Sequence, residues 1–206
     1  MNTKTPARPK AIAPEFLQHP DVAAIIPPWG GELATELLDL IHFTALRDMS
    51  PKWVLGFSDI STLLVPLILI SDWATAHGPQ LMDKAPTQTD PLTTSVLDIL
   101  AADLQTPVIQ QASQMYQTQF IDFAEQADAP LNLTKPTHWR RLNDKTEAVT
   151  FQGRLIGGCL DTIALLAGTP YGNIPDFIQQ SVEQGTILYL ENAEMSPVAL
   201  VRTCYF

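Results

Sequence analysis

No stretch of this chain limits the fold as tightly as Pro51-Lys-Trp-Val-Leu-Gly-Phe-Ser-Asp-Ile-Ser61 and the apolar run behind it. Trp53 to Phe57 reads as a buried strand that passes directly into a helix from about Asp59 to Trp73. Within that helix Leu63 to Ile70 is apolar throughout, contains Pro66, and is about half of the roughly 20 residues a membrane span needs, so a buried core helix is expected. Upstream, Val22 to Ile26 is a second short apolar run, closed by Pro27 and Pro28, and reads as another strand. Gly30 and Gly31 lead from it into a helix with Leu33, Leu37, Leu38, Ile41 and Leu46 at helical spacing, ended by Pro51. Strand, helix, strand, helix with short connections implies parallel strands with helices packed on the sheet, an α/β fold.

From Pro79 to about Ala148 Gln, Thr, Asp and Pro dominate and no strong strand stands out. Leu92 to Leu104 and Val108 to Ala127 have helical periodicity, whereas Ala129 to Thr137 holds two prolines and reads as a connector. Ala148 to Ile156 then reads as a strand, Cys159 to Leu166 as a short helix and Thr186 to Leu190 as a strand. The expected organisation is a parallel-sheet N-terminal domain over 1–128, a connector over 129–146, and the beginning of a β-rich C-terminal domain over 147–206.

A hydrophobic fraction of 46% suffices for a core, while a net charge of -10 argues against nucleic acid or anionic membrane as partners, both of which need clustered Lys and Arg. Cys159 and Cys204 match no zinc spacing and cannot make a multi-bridge framework, which fits a reducing cytoplasm. Residues 1–12 carry positive charge, but no signal-type apolar stretch follows them before Glu15, so export is not expected. His19, His42, His77 and His138 form no H-x-x-x-H or H-x-E pattern, and neither metal nor cofactor is expected.

Ser58 stands where the strand gives way to the helix, a place suited to a nucleophile because a tight turn lifts the side chain off the sheet edge and the new helix presents free amides. It equally suits a helix N-cap. Ile60 occupies the second glycine position of the hydrolase elbow G-x-S-x-G, so that particular fold is not supported. Gly30 and Gly31 could bring amides to the same sheet edge, or simply turn the chain. Glu191 closes an apolar strand and is either a carboxylate that orients a histidine or an ordinary strand-end acid. His77, in Ala-His-Gly-Pro79, is the one histidine near a sheet edge and either structural or a base; the other three read as surface or helix-face residues.

Several segments together resemble the LD-carboxypeptidase family of serine peptidases, which includes the microcin-C immunity peptidases: Pro28-Trp-Gly-Gly-Glu32, Pro51 to Asp59, Ala76-His-Gly-Pro79, Gly153-Arg-Leu-Ile-Gly-Gly158, Gly168-Thr-Pro-Tyr171 and Ile187-Leu-Tyr-Leu-Glu191. The resemblance implies Ser58 as nucleophile, Glu191 as the acidic triad member, and an oxyanion hole from the amides of Asp59 and of Gly31 or Gly30. Asn192 and Cys159 replace the family's usual Asp and Asn. The implied reaction is hydrolysis of the C-terminal amide of murein-type or other peptide-like substrates, in the cytoplasm, without a cofactor, and a homodimer is common in the family. Family members begin with a further strand and helix and run on beyond the position of Phe206 to the triad histidine, which no residue here matches. The chain is therefore expected to be a truncated central part with an incomplete first sheet and an exposed sheet edge. Little or no peptidase activity follows unless a histidine within the chain stands in; the alternative is an inactive remnant or binding module.

Overall fold

The computed structural model describes residues 14–103, 105–119, 121–142 and 147–205. The charged stretch 1–12, Leu104 at the end of one expected helix, and 143–146 of the connector lie outside the described residues. After α1 (Pro14–Gln18), the strands β1 (Ala24–Ile25), β2 (Trp53–Gly56) and β3 (Ala76–His77) form a parallel sheet in that order. Ala24 lies opposite Trp53, and Gly56 opposite His77. Between β1 and β2 the chain makes a 3-10 helix, Ala34–Leu40, and then α2 (Phe43–Leu46). A second 3-10 turn, Ser58–Ile60, leads into α3 (Ser61–Leu69).

Leu63, Leu64, Val65, Pro66 and Leu67 are all buried, so α3 is sequestered around its circumference as its uniform apolarity requires. It forms one core with Leu17, Ile25, Leu37, Phe43 and Leu46, and each fully buried leucine contributes about 1.5–3 kcal/mol relative to exposure. Lys52 is also buried; its Nζ donates to the carbonyls of His19 (2.7 Å) and Val22 (2.8 Å), which satisfies the charge and ties α1 to the base of the sheet.

The chain continues with a 3-10 turn, Met82–Lys84, α4 (Pro91–Ala101), the short antiparallel pair β4 (Met115–Tyr116) and β5 (Lys135–Pro136), and then β6 (Arg154–Cys159), α5 (Leu160–Ile163) with a 3-10 turn, Ala164–Leu166, α6 (Ile174–Gln180), β7 (Thr186–Glu191) and α7 (Pro197–Tyr205). β6 and β7 pair in parallel, from Arg154 opposite Thr186 to Cys159 opposite Glu191. This second sheet docks on α3: the Cys159 N–H donates to Ser61 Oγ at 3.0 Å, and a Cβ on Gly158 would stand 2.6 Å from that oxygen. The architecture is α/β, with parallel strands in both halves.

Three local readings change. The stretch read as one helix from Leu33 to Leu46 breaks at Ile41 and His42, because Ile41 is extended (φ -101, ψ 120). The expected helix over Val108 to Ala127 is not formed by its described residues, which leave out Phe120; Val108, Ile109 and Ile121 stay exposed, so little apolar surface is buried to stabilise a helix there, and Met115–Tyr116 pairs instead with the expected connector at Lys135–Pro136. The strand expected over Ala148 to Ile156 is displaced to Arg154–Cys159, since Gly157 and Gly158 sit where backbones and Ser61 approach too closely for a side chain.

Candidate functional site

Phe57 is extended (φ -145, ψ -172), Ser58 is in the left-handed region (φ 56), and Asp59 already belongs to the 3-10 turn. A non-glycine residue there is held at a cost of about 1–2 kcal/mol and needs surroundings that enforce it. Those surroundings are specific. Gly56 must lack a side chain because Ile60 Cγ2 would be 2.7 Å from its Cβ, so the strand end folds back on the new helix. Gln80, which is 2% exposed, donates from Nε2 to the Phe57 carbonyl at 2.9 Å and fixes the residue before the serine. Neither Phe57 nor Ile60, which cap the 3-10 turn and α3, uses a side chain, and Ser58 does not serve as the N-cap of either helix.

The Gly-Gly segment lies against this turn. A Cβ on Gly30 would be 3.2 Å from Ser58 Cβ, 3.4 Å from Ser58 Oγ and 3.6 Å from the Asp59 nitrogen. Gly31 has φ 109, a conformation side chains rarely adopt. The buried Asp59 carboxylate locks the two segments together by accepting the Ala34 N–H at 2.8 Å through Oδ2. Gly30→Ala has a permitted backbone but crowds the serine, so it should lower any Ser58 reactivity at least tenfold while shifting the urea midpoint little; parallel labelling and unfolding curves check this.

Glu191 ends β7 on the face shared with Ile187 and Tyr189, half-buried, with its Oε1 buried and unpartnered. Asp161 anchors the chain just beyond it, accepting the amides of Ala193 (3.0 Å), Glu194 (2.9 Å) and Met195 (2.9 Å). Burial alone would raise the Asp161 carboxyl, but these amides outweigh it and hold the group below its usual range. Cys159, opposite Glu191, has its thiol pushed up to about 12 by burial and then by the Glu191 and Asp161 charges. It should therefore resist iodoacetamide at pH 8 in the folded protein while exposed Cys204 reacts, and mass spectrometry of the alkylated peptides distinguishes the two. Alkylation of both at equal rates would contradict this.

His77 is brought to the same region: its ring packs on Tyr189 with centroids 5.2 Å apart. A cavity of about 600 Å³ is lined by Trp29 and Phe57, the neighbours in sequence of Gly30 and Ser58, with Phe123, Ile121 and Leu131 opposite; Trp29 meets Phe123 edge-on at 4.9 Å. Another cavity, of about 530 Å³ around Arg47, Asp72 and Arg154, lies at the far end of α3 and away from the serine. Sequence reasoning named Ser58, Asp59, Gly30, Gly31, Glu191 and His77 but missed Gln80 and Asp161, whose roles depend on long-range backbone contacts that no motif spacing reveals. Among the described residues no group of three or more His, Cys, Asp and Glu could hold a metal ion, and no helix is long and apolar enough to cross a membrane.

A parallel α/β sheet with Ser58 in the left-handed region at a strand-to-helix turn, beside a Gly-Gly segment, places the chain among α/β proteins. The chain belongs to the LD-carboxypeptidase family: the family's N-terminal domain model matches residues 4–78 and its C-terminal domain model residues 152–204. It is 27% identical over 182 residues to a Vibrio cholerae serotype O1 protein predicted to be a carboxypeptidase, covering 87% of this chain and 50% of the relative. It is 24% identical over 192 residues to the Microcin C7 self-immunity protein MccF of Escherichia coli, covering 91% of this chain and 52% of that protein. MccF solved with glutamyl sulfamoyl guanosine superposes with a TM-score of 0.68 at 20% identity, over 92% of this chain and 54% of that one. The muramoyltetrapeptide carboxypeptidase of Oxalobacter formigenes gives 0.59 at 21% identity, over 93% and 52%. The chain thus spans about half the length of the relatives it matches.

Proposed function

We propose that this chain carries the nucleophile of a cytoplasmic serine-type carboxypeptidase that hydrolyses the C-terminal amide of a murein-type peptide or a peptide-like substrate. The observation that carries the reading is the strained Ser58 at φ 56, held against Gly30 and the Asp59 amide, since such strain persists only where the surroundings enforce it. Ser58 Oγ attacks the amide carbonyl carbon, forming a C–O bond as the carbonyl π pair moves onto oxygen. The Asp59 N–H and one from Gly31 or Gly30 receive that oxyanion. The hydroxyl proton passes through a base to the leaving nitrogen as the C–N bond breaks, and water then releases the acyl group by the same steps. Trp29, Phe57 and Phe123 offer an apolar, aromatic recess for the substrate beside the reacting carbonyl.

Murein tetrapeptide and an aminoacyl sulfamoyl nucleoside, the two ligand classes named for the similar proteins, are the substrates to assay, with amino acid release as the readout. A folded protein that releases nothing from either class would remove the substrate assignment. One observation favours a second reading, a binding module that keeps the recess without turnover: Glu191 Oε1 is buried with no hydrogen-bond partner, although an oriented imidazole is what this acid should hold. That reading expects ligand binding by calorimetry with no covalent labelling of Ser58 by a fluorophosphonate. A homodimer, and murein recycling as the setting, belong with the first reading and are checked by sedimentation and by growth on recycled murein peptides.

A further inference from the structure

We propose that the cavity at the far end of α3 is a binding site for a free amino acid with an apolar side chain, gripped by its carboxylate and its ammonium group together. The site is separate from Ser58 and does not rest on the serine reading. Its volume of about 530 Å³ is that of an ordinary small-molecule site, and it is lined by α2 and α3 from the first half of the chain and by β6 and α6 from the second. Ile68, Leu69 and Ile70 at the end of α3, with Pro170 and Phe177, make its apolar walls. Arg47, Arg154, Asp72 and Asp176 bring the charge. Two guanidiniums and two carboxylates cancel, so an anion would meet both acids and a cation both arginines. A dipolar ligand is the one whose two charges can each be matched.

These charges are not spent on one another. Arg47, the residue after α2, makes no hydrogen bond or ion pair with any other described residue. Asp72 is contacted only by Arg154, Nη2 to Oδ1 at 3.9 Å, too long for a hydrogen bond, and its side chain stays largely exposed. Arg154 gives one long bond, from Nη1 to Ser181 Oγ at 3.4 Å, and its guanidinium lies over the Phe177 ring with Cζ 4.4 Å from the centroid. The stacking orients the fork while most of its N–H donors stay available. Asp176 differs, because its Oδ2 already accepts Asn173 Nδ2 at 2.6 Å. Arg47 and Arg154 thus remain for a carboxylate, and Asp72, beside the negative end of the α3 dipole, for an ammonium. Asp72 is also, with Ser58, one of two non-glycine residues at positive φ among the described residues, at 57. Backbone strain of this kind clusters at ligand sites, and here it sets the acid at the mouth of the cavity.

The test uses the purified 206-residue chain with L-leucine, isocaproate, which lacks the ammonium, and isoamylamine, which lacks the carboxylate. Binding is followed by ligand-observed saturation-transfer NMR and by thermal midpoint, for the parent, Arg47→Gln, Asp72→Asn and Ser58→Ala. Asn tolerates the left-handed backbone as Asp does, so Asp72→Asn removes the charge and keeps the turn. Leucine should bind the parent and raise its midpoint, and each probe lacking one charge should bind about tenfold more weakly or worse. Arg47→Gln and Asp72→Asn should each weaken leucine about tenfold or more. Arg47→Gln should leave isoamylamine unchanged and Asp72→Asn should leave isocaproate unchanged, since the lost charge has no counterpart on the probe. Ser58→Ala should bind leucine as the parent does. A folded parent that shows no leucine binding up to about 10 mM overturns the site. Probes that bind as well as leucine also overturn it, as does binding that survives both Arg47→Gln and Asp72→Asn or is lost in a folded Ser58→Ala. If one charge variant does not fold, the other and the ranking of the probes decide.

Discussion

Ser58→Ala is expected to abolish covalent labelling and any amino acid release, a loss of up to roughly 10⁶-fold by analogy with nucleophile deletions in a well-studied serine protease. The same position makes a second, opposite prediction about stability. Ser58 is held at φ 56, where an L side chain costs about 1–2 kcal/mol, and Ala keeps that cost because it keeps the Cβ. Gly removes it, at the expense of about 0.5–1 kcal/mol of extra chain entropy in the unfolded state. Ser58→Gly should therefore be inactive yet up to about 1 kcal/mol more stable than Ser58→Ala, as read from urea midpoints at unchanged slope. A Ser58→Gly variant less stable than Ser58→Ala by the full entropy cost of about 0.5–1 kcal/mol would show that the turn stores no strain, and residual turnover by either would move the nucleophile elsewhere.

Gly157→Ala should unfold the second half of the molecule. Gly157 has φ 153, and a Cβ there would fall onto the Tyr189 carbonyl oxygen of the paired strand. The chain cannot relieve that overlap without parting β6 from β7, which also carries Glu191 away from β6 and α3. A loss above about 4 kcal/mol is expected, large among single substitutions, and it should appear as low soluble yield and a missing or early thermal transition. Gly168→Ala is the control: φ is 75 but nothing lies within 4 Å of the added Cβ, so only backbone strain of about 1 kcal/mol applies. Similar melting for the two alanines would contradict the close-approach argument.

The contrast between these glycines explains where local reading of the chain stopped. Val149 and Phe151 have high strand propensity, yet they remain exposed, and the strand forms instead over the glycines that let Tyr189 and Ser61 come close. Val108 to Ala127 has helical spacing without a surface to pack on, and helices of that length gain most of their stability from packing. Neither Gln80 nor Asp161 carries a motif; each acts by bonding backbone brought near it by the fold.

The sequence by itself determined the β2, Ser58 and α3 unit, because a buried strand, a small residue at the turn and an all-apolar helix admit few arrangements, and it placed Glu191 at a strand end by its apolar run. Only the tertiary structure decided that Gly30 presses on Ser58, that Asp59 pins the Gly-Gly segment, and that the His77 ring packs on Tyr189 of the other sheet. Periodicity reports how a segment meets its own surroundings, whereas these contacts join residues remote in the chain. They exist because β3 aligns with β2 and β6 docks on α3, and pairings of that kind are set by the packing of whole elements rather than by any one segment's pattern.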